Sequence, residues 1–144
     1  KFPENSQGEM RLNNVPLLRL SETYLIAAEA SAKLNDKAAA AKYLNAIVQR
    51  ANPNATPVSE ADATVDRILI ERRKELVGEG HRFFDAMRNN QTIVRYTDEA
   101  KKGYYYTLTT PDSRKFDRTY FRIVLPIPRG ETNVNRKIQQ NPGY

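Results

Sequence analysis

Glu71-Arg72-Arg73-Lys74-Glu75-Leu76-Val77-Gly78-Glu79-Gly80-His81-Arg82-Phe83-Phe84-Asp85-Ala86-Met87-Arg88 packs nine charged residues and two glycines into eighteen positions, with apolar side chains threaded between them. Residues three or four apart on a helix face each other, so Arg72 and Glu75, Arg82 and Asp85, and Asp85 and Arg88 form matched pairs. Each such pair contributes roughly 0.2–0.5 kcal/mol on an exposed surface. Their spacing around Leu76, Phe83, Phe84 and Met87 predicts a scaffold tied to its neighbours. The apolar period predicts a helix over 64–77 that buries Val65, Ile68, Leu69 and Leu76. Gly78 and Gly80 then bracket a break, because glycine reaches the left-handed conformation of a helix end without steric cost. A short helix over 81–88 follows, closed by Asn89-Asn90-Gln91.

Towards the N-terminus, residues 1–13 are polar and read as an extended lead-in. Pro16 suits a helix start, where its missing N–H costs nothing. A helix is predicted over 17–34, with Leu17, Leu20, Tyr24, Ala27 or Ala28, and Ser31 on one face. Asn35-Asp36 breaks it, and Asp36 is a candidate N-cap for a second helix over 37–50. That helix is rich in alanine, the strongest helix former, and continues its stripe through Leu44, Ile47 and Val48. Asn52-Pro53-Asn54 ends it, and residues 51–63 form a linker. Two helices joined by a tight turn, with small residues on facing sides, make an antiparallel hairpin. Leu25-x-x-Ala28-x-x-Ser31, Asn35-Asp36, Ala41, Leu44 and Pro53 are similar to a tetratricopeptide repeat, a unit that needs neighbours to bury its faces. The hairpin is therefore expected to dock on the later helices, on repeats upstream, or on both.

Towards the C-terminus the chemistry changes. Aromatic and β-branched residues predict a strand over 104–109 and a return strand over 120–125, with a long loop between them. Pro126 and Pro128 cannot donate to a ladder, so extended or edge chain is expected after Leu125. Residues 129–144 read as a turn-rich tail, tied to the body by Tyr144.

Composition narrows the function classes. A chain of 144 residues with 40% hydrophobic and 28% charged residues is globular and long enough to bury a core. No stretch approaches the ~20 apolar residues of a membrane helix. The opening Lys1-Phe2-Pro3 has no features of a signal peptide, so the chain is expected to be the interior or C-terminal part of something longer. The sequence has no cysteine and one histidine, His81, which leaves no Cys- or multi-His metal site. Neither a metal nor another cofactor is expected. The net charge of +6 raises nucleic acid as a partner. However, the basic residues are interleaved with acids or scattered, with no nucleic-acid-binding signature, so no such partner is expected. Glu71, Glu75, Glu79 and Asp85 could suggest a glycosidase, which sets two carboxyl groups about 5–9.5 Å apart. Each has an Arg or Lys within helical reach that would hold it ionised, so no catalytic role is expected. Arg19, Glu22 and Glu29 read the same way, as ion pairs between helices, and His81 reads as a packing or capping residue.

Four segments in order resemble one known family. They are Arg19-x-x-Glu22-x-Tyr24-Leu25-x-x-Ala28-Glu29-Ala30, the helical hairpin to Arg50-Ala51, the 71–88 core, and Leu125-Pro126-Ile127-Pro128-x-x-Glu131 with Gln140-Asn141-Pro142-Gly143-Tyr144. Together they resemble the SusD/RagB family of outer-membrane glycan-binding lipoproteins. The core matches the family's ER-x-x-E-L-x-x-E-G-x-R-x-x-D-x-x-R pattern at Glu71, Arg72, Glu75, Glu79, Gly80, Arg82, Asp85 and Arg88. Gly78, and Met87 where the family often has Leu, are small departures.

The resemblance implies a mainly α fold of tetratricopeptide-like hairpins (about 16–90) with a small β-hairpin and extended segment (about 91–144). All 144 residues then form the C-terminal domain of a SusD-like protein. It implies a non-catalytic oligosaccharide-binding role beside a SusC-like TonB-dependent transporter, in a parent protein lipid-anchored at the outer membrane and facing outwards. Family sugar sites draw mostly on residues outside this portion, and the chain has no Trp to stack on a sugar. Tyr104 and Tyr106, on one face of the expected strand, are the local ligand candidates, set against a plainer role as half-buried strand residues. A protein-interaction scaffold built on the tetratricopeptide-like hairpin is the alternative function.

Overall fold

The computed structural model describes residues 18–95 and 114–144. The lead-in, the helix start at Pro16 and Leu17, and the expected strand over 104–109 with Tyr104 and Tyr106 lie outside the described residues. By its contacts the chain divides into two units, Lys1–His81 and Arg82–Tyr144.

The first unit contains three helices, α1 (Leu20–Lys33), α2 (Lys37–Ala51) and α3 (Val65–Glu75). The turn between α1 and α2 is built by Asn35-Asp36. Asn35 takes φ 62°, and the N–H groups of Asn35 and Asp36 donate to the carbonyls of Ala32 and Ser31. This is the paired bonding of a left-handed helix end. Asp36 then starts α2, its Oδ1 accepting from the Ala39 N–H at 3.0 Å. Two adjacent residues thus close one helix and open the next. The hairpin docks on the later helix: α1 packs against both α2 and α3.

Leu25, Ala28, Ala40, Leu44 and Ile68 are fully buried at the centre of this unit. Leu25 and Leu44 share this core with the small side chains of Ala28, Ala40 and Ala41, and Tyr24 meets Tyr43 edge to face at 6.0 Å between centroids. Truncating a fully buried leucine typically costs about 2–5 kcal/mol, so these few residues carry much of the unit's stability.

The buried stripe of α1 is Ser21, Leu25, Ala28 and Glu29. It is turned by one residue from the expected Leu20–Tyr24–Ser31 face, and Leu20 is 72% exposed. The reason is that α1 must face α2 and α3 at once, and Leu25 is its large fully buried residue. Arg19, in extended conformation, directly precedes the first turn of α1 at Leu20. Helix α3 is shorter at both ends than 64–77. Thr64 stands outside as its N-cap, with Oγ1 accepting from the Arg67 N–H, and Val65 is only half-buried. The linker before it is clamped by a feature the sequence reading missed. Asn45 of α2 accepts from the Val58 N–H at 2.8 Å and donates to the Val58 carbonyl at 2.9 Å, as a strand neighbour would.

Helix α4 (His81–Arg88) follows Gly78 and Gly80, each at φ +81°. It ends as α1 does: Asn90 at φ 54° and Gln91 return N–H groups to the carbonyls of Met87 and Ala86. Its buried residues are Asp85 and Ala86, whereas Phe84 is 68% exposed.

In the second unit β1 (Ile93–Val94) pairs antiparallel with β2 (Lys115–Phe116), Ile93 opposite Phe116. The expected return strand over 120–125 is not a strand. Phe121–Ile123 forms a 3-10 turn instead. Asp117 causes the change: its Oδ1 accepts from both the N–H and the hydroxyl of Thr119, and the Tyr120 N–H donates to the Asp117 carbonyl. That side-chain turn ends the ladder before the β-prone residues arrive. The tail is also more ordered than turns alone, since α5 (Arg129–Val134) follows Pro128.

The end of the chain folds back on the extended segment after Val124. Gln140 brackets Ile127, with Oε1 accepting from its N–H and Nε2 donating to its carbonyl. The Asn141 amide donates to the Leu125 carbonyl and the Tyr144 hydroxyl to the Val124 carbonyl, each at 2.8 Å. Gly143 lies at φ +91°, where a Cβ would sit 2.6 Å from Cδ2 of Phe121. Gly143→Ala combines backbone strain with a steric clash and is expected to destabilise the protein by more than about 1 kcal/mol. A urea midpoint that falls checks this; an unchanged midpoint contradicts it.

Candidate functional site

Arg19, immediately before α1, joins residues far along the chain. Its Nη2 lies 3.0 Å from Glu75 Oε1 and donates to the Glu75 carbonyl at 3.0 Å, while its Nε donates to Glu79 Oε2 at 3.1 Å. The other Glu75 oxygen accepts from Arg50 Nη2 of α2 at 2.6 Å. Glu75 is the last residue of α3, so Arg19 binds both its carboxylate and a carbonyl that the helix itself leaves unpaired. The Glu75 side chain is 9% exposed and that of Arg19 is 22% exposed.

Burial pushes the Glu75 carboxyl up, but contacts outweigh it. They are the Ser21 hydroxyl beside it, whose geometry falls short of a full hydrogen bond, the guanidinium of Arg19, and the charge of Arg50. The carboxyl is held below the usual glutamate range. Burial likewise works against the charge of Arg19, and its bonds to Glu79 and Glu75 more than offset that, so its pKa is raised.

The other acids of the 71–88 stretch, and several of its bases, are also engaged. Glu71 accepts from Arg67 at 2.8 Å and lies 3.5 Å from Lys74. Asp85 pairs with Arg88 at 2.7 Å. Arg82 does not pair with Asp85 as its spacing suggests; it donates to Gln91 Oε1 at 2.8 Å, because the left-handed turn at Asn90 brings Gln91 back over α4. Arg72 is buried. Further out, Glu29 accepts from Lys33 at 2.8 Å, and Glu22 Oε1 stands 3.5 Å from His81 Nδ1. Gly80 supplies a left-handed backbone, and Asn141, Pro142, Gly143 and Tyr144 form the returning C-terminal strap. Among the described residues no group of three or more His, Cys, Asp or Glu is arranged to hold a metal ion.

Two concave surfaces stand out. In the first unit a largely apolar groove of about 430 Å3 runs between α1 and α2, floored by Leu20, Tyr24, Ala46 and Ile47 and flanked by Arg19 and Arg50. In the second, a cleft of about 480 Å3 is lined by Phe116, Tyr120 and Phe121 together with Thr92, Lys115 and Asp117. The Thr119 hydroxyl and N–H hold the Asp117 carboxyl below its usual range. Sequence reasoning missed this second surface by taking 120–125 as a strand. The signal was Asp117-x-Thr119 directly before two aromatics, a side-chain turn that gathers rings on one side.

The sequence profile of the SusD family matches residues 1–144, the whole of the sequence. The chain belongs to the SusD family. A SusD-like protein, P25, of Formosa agariphila is 31% identical over 98% of the chain and 27% of its own length. A SusD superfamily protein of Bacteroides thetaiotaomicron has 42% identity and a TM-score of 0.82, covering 99% of this chain and 30% of that one. A SusD-like carbohydrate binding protein of Bacteroides vulgatus has 31% identity and a TM-score of 0.64 over 91% of this chain and 31% of that one. The SusD-family chain thus spans between a quarter and a third of the length of these relatives. Its mainly helical fold, with tetratricopeptide-like hairpins and a small sheet, is that of the solved SusD superfamily structures.

Two outcomes follow from the ion pairs. A group whose folded pKa is lowered stabilises the fold above its unfolded pKa and loses that contribution as pH falls through the folded one. Wild type is therefore expected to lose stability more steeply than Glu75→Gln between pH 7 and pH 3 in urea titrations; parallel profiles would contradict it. Asp85, with a side chain 7% exposed, is also expected to matter more than Arg82. Asp85→Ala should cost more than about 1 kcal/mol, and more than Arg82→Ala, by the same measurement.

Proposed function

We propose that this chain is the C-terminal portion of a non-catalytic oligosaccharide-binding protein. In this reading the parent is lipid-anchored on the outward face of the outer membrane and acts with a SusC-like TonB-dependent transporter in nutrient uptake. The observation that carries the reading is family membership across the whole chain, with a relative described as a carbohydrate binding protein. Most sugar contacts then come from parts of the protein outside these residues.

The state of the acids supports a binding role rather than hydrolysis. Glycoside hydrolysis needs one carboxyl group kept protonated near neutral pH and a second one opposite it. Here Glu71, Glu75, Glu79 and Asp85 each hold an arginine partner, and Glu75 is pushed towards the ionised form. Among the described residues no helix is long and apolar enough to cross a membrane.

The groove between α1 and α2, with Leu20 72% exposed on it, favours a second reading, a helical scaffold that holds another chain without binding sugar. Calorimetric titration of the full-length protein and of this chain with the same oligosaccharides separates the two. Saturable binding by the full-length protein, at least tenfold weaker in the isolated chain, with no release of reducing ends, is expected. Absence of sugar binding by the full-length protein would favour the scaffold. Turnover abolished by Glu71→Gln or Glu75→Gln would make the protein an enzyme.

A further inference from the structure

We propose that the cleft of the second unit is a subsite for one pyranose unit of a neutral oligosaccharide, with Tyr120 and Phe121 as the stacking surface and Asp117 as the hydroxyl acceptor. This rests on the glycan-binding reading and places part of that binding within this chain.

The aromatic wall is held in place before any ligand arrives. Phe116 and Tyr120 lie 5.6 Å apart between ring centroids, Tyr120 and Phe121 5.3 Å, and Phe121 and Tyr144 5.2 Å. Tyr144 is fixed in turn by its hydroxyl bond to the Val124 carbonyl, and Arg95 sits over the Phe116 ring at 5.3 Å. Packed this way, the rings lose little freedom when something stacks on them. They are nevertheless not sealed in a core, since Phe121 remains 37% exposed.

The polar groups complement the hydroxyls of a sugar. Asp117 spends Oδ1 on Thr119, which fixes the carboxylate and leaves Oδ2 without a hydrogen bond among the described residues, near the charge of Arg118. It is ionised, because the same two bonds hold its pKa down. Lys115 and Thr92 add donors on the same cleft. One face that accepts apolar C–H groups, with a carboxylate and an ammonium at its rim, suits a ring bearing neighbouring hydroxyls. The opposed charges of Asp117 and Lys115 favour a neutral ligand over an anion or a cation. A volume of about 480 Å3 also falls within the roughly 300–1,000 Å3 of small-molecule sites.

The test uses the full-length protein and an array of plant, algal, fungal and animal glycans, followed by titration with the glycan bound best. Asp117→Asn keeps an oxygen for Thr119 and removes the charge; Tyr120→Leu removes a stacking ring. Dissociation constants raised about threefold or more by Asp117→Asn and about tenfold by Tyr120→Leu are expected, with Phe84→Ala, outside the cleft, unchanged. Saturation transfer from aromatic protons to the sugar, reduced in Tyr120→Leu, is the second readout. If Tyr120→Leu does not fold, Asp117→Asn alone decides. Binding unchanged in every folded variant overturns the subsite and leaves the glycan-binding reading intact. No binding to any glycan overturns both.

Discussion

The guanidinium of Arg19 is the constraint on which the helical unit depends. It stands at the start of α1, where the helix dipole disfavours a cation, yet three acceptors on Glu75 and Glu79 hold it there. The same contact serves α3 well, because a cation belongs at a helix C-terminus and Glu75 ends that helix. Arg50 completes the arrangement from α2. Three helices distant in sequence therefore meet at one carboxylate, at the end of a core that only a few fully buried side chains fill. The glycine turn after α3 places Glu79 where Arg19 can reach it, so the ion cluster and the left-handed backbone at Gly78 and Gly80 are parts of one device.

Charge and hydrogen bonding play a similar part in the second unit, which has little buried apolar surface among its described residues. Gln140, Asn141 and Tyr144 pair with backbone groups of 124–127 that Pro126 and Pro128 keep out of any ladder. The chain end thus replaces a missing strand neighbour, side chain by side chain. Gly143 is required because the strap passes against Phe121 with no room for a Cβ. The same strap positions Tyr144 against the ring row that borders the cleft, which couples the family's terminal motif to the proposed sugar contact.

Much of the first unit was legible because its signals are local. Asp36 and the Asn35 turn fix the hairpin, alanines fill α2, and paired glycines end α3. The burial stripe of α1 was misread by one residue because periodicity cannot say which of two neighbouring faces will meet two partners at once; the face that carries the fully buried Leu25 is the one that α2 and α3 cover. The partner of Arg82 was misread because helical spacing favours Asp85, whereas the turn at Asn90 brings Gln91 closer. In the second unit, β propensity in Tyr120-Phe121-Arg122-Ile123-Val124-Leu125 lost to a single side-chain turn at Asp117. That error hid the aromatic cleft, since on a strand Tyr120 and Phe121 would point to opposite faces. The partners of Arg19 were out of reach for another reason: no local pattern pairs it with residues some sixty positions away.

A scaffold held by paired ions suits a binding protein that needs rigid surfaces more than poised acids. The 71–88 stretch supports the fold, and the aromatic cleft is the proposed sugar subsite. The most direct test of the central claim is a double-mutant cycle on Arg19→Ala and Glu75→Ala by urea unfolding. Exposed ion pairs contribute about 0.2–1 kcal/mol, whereas breaking a buried one costs roughly 3–5 kcal/mol. A coupling energy above about 1 kcal/mol is predicted for this largely buried pair. A coupling indistinguishable from zero would contradict the account.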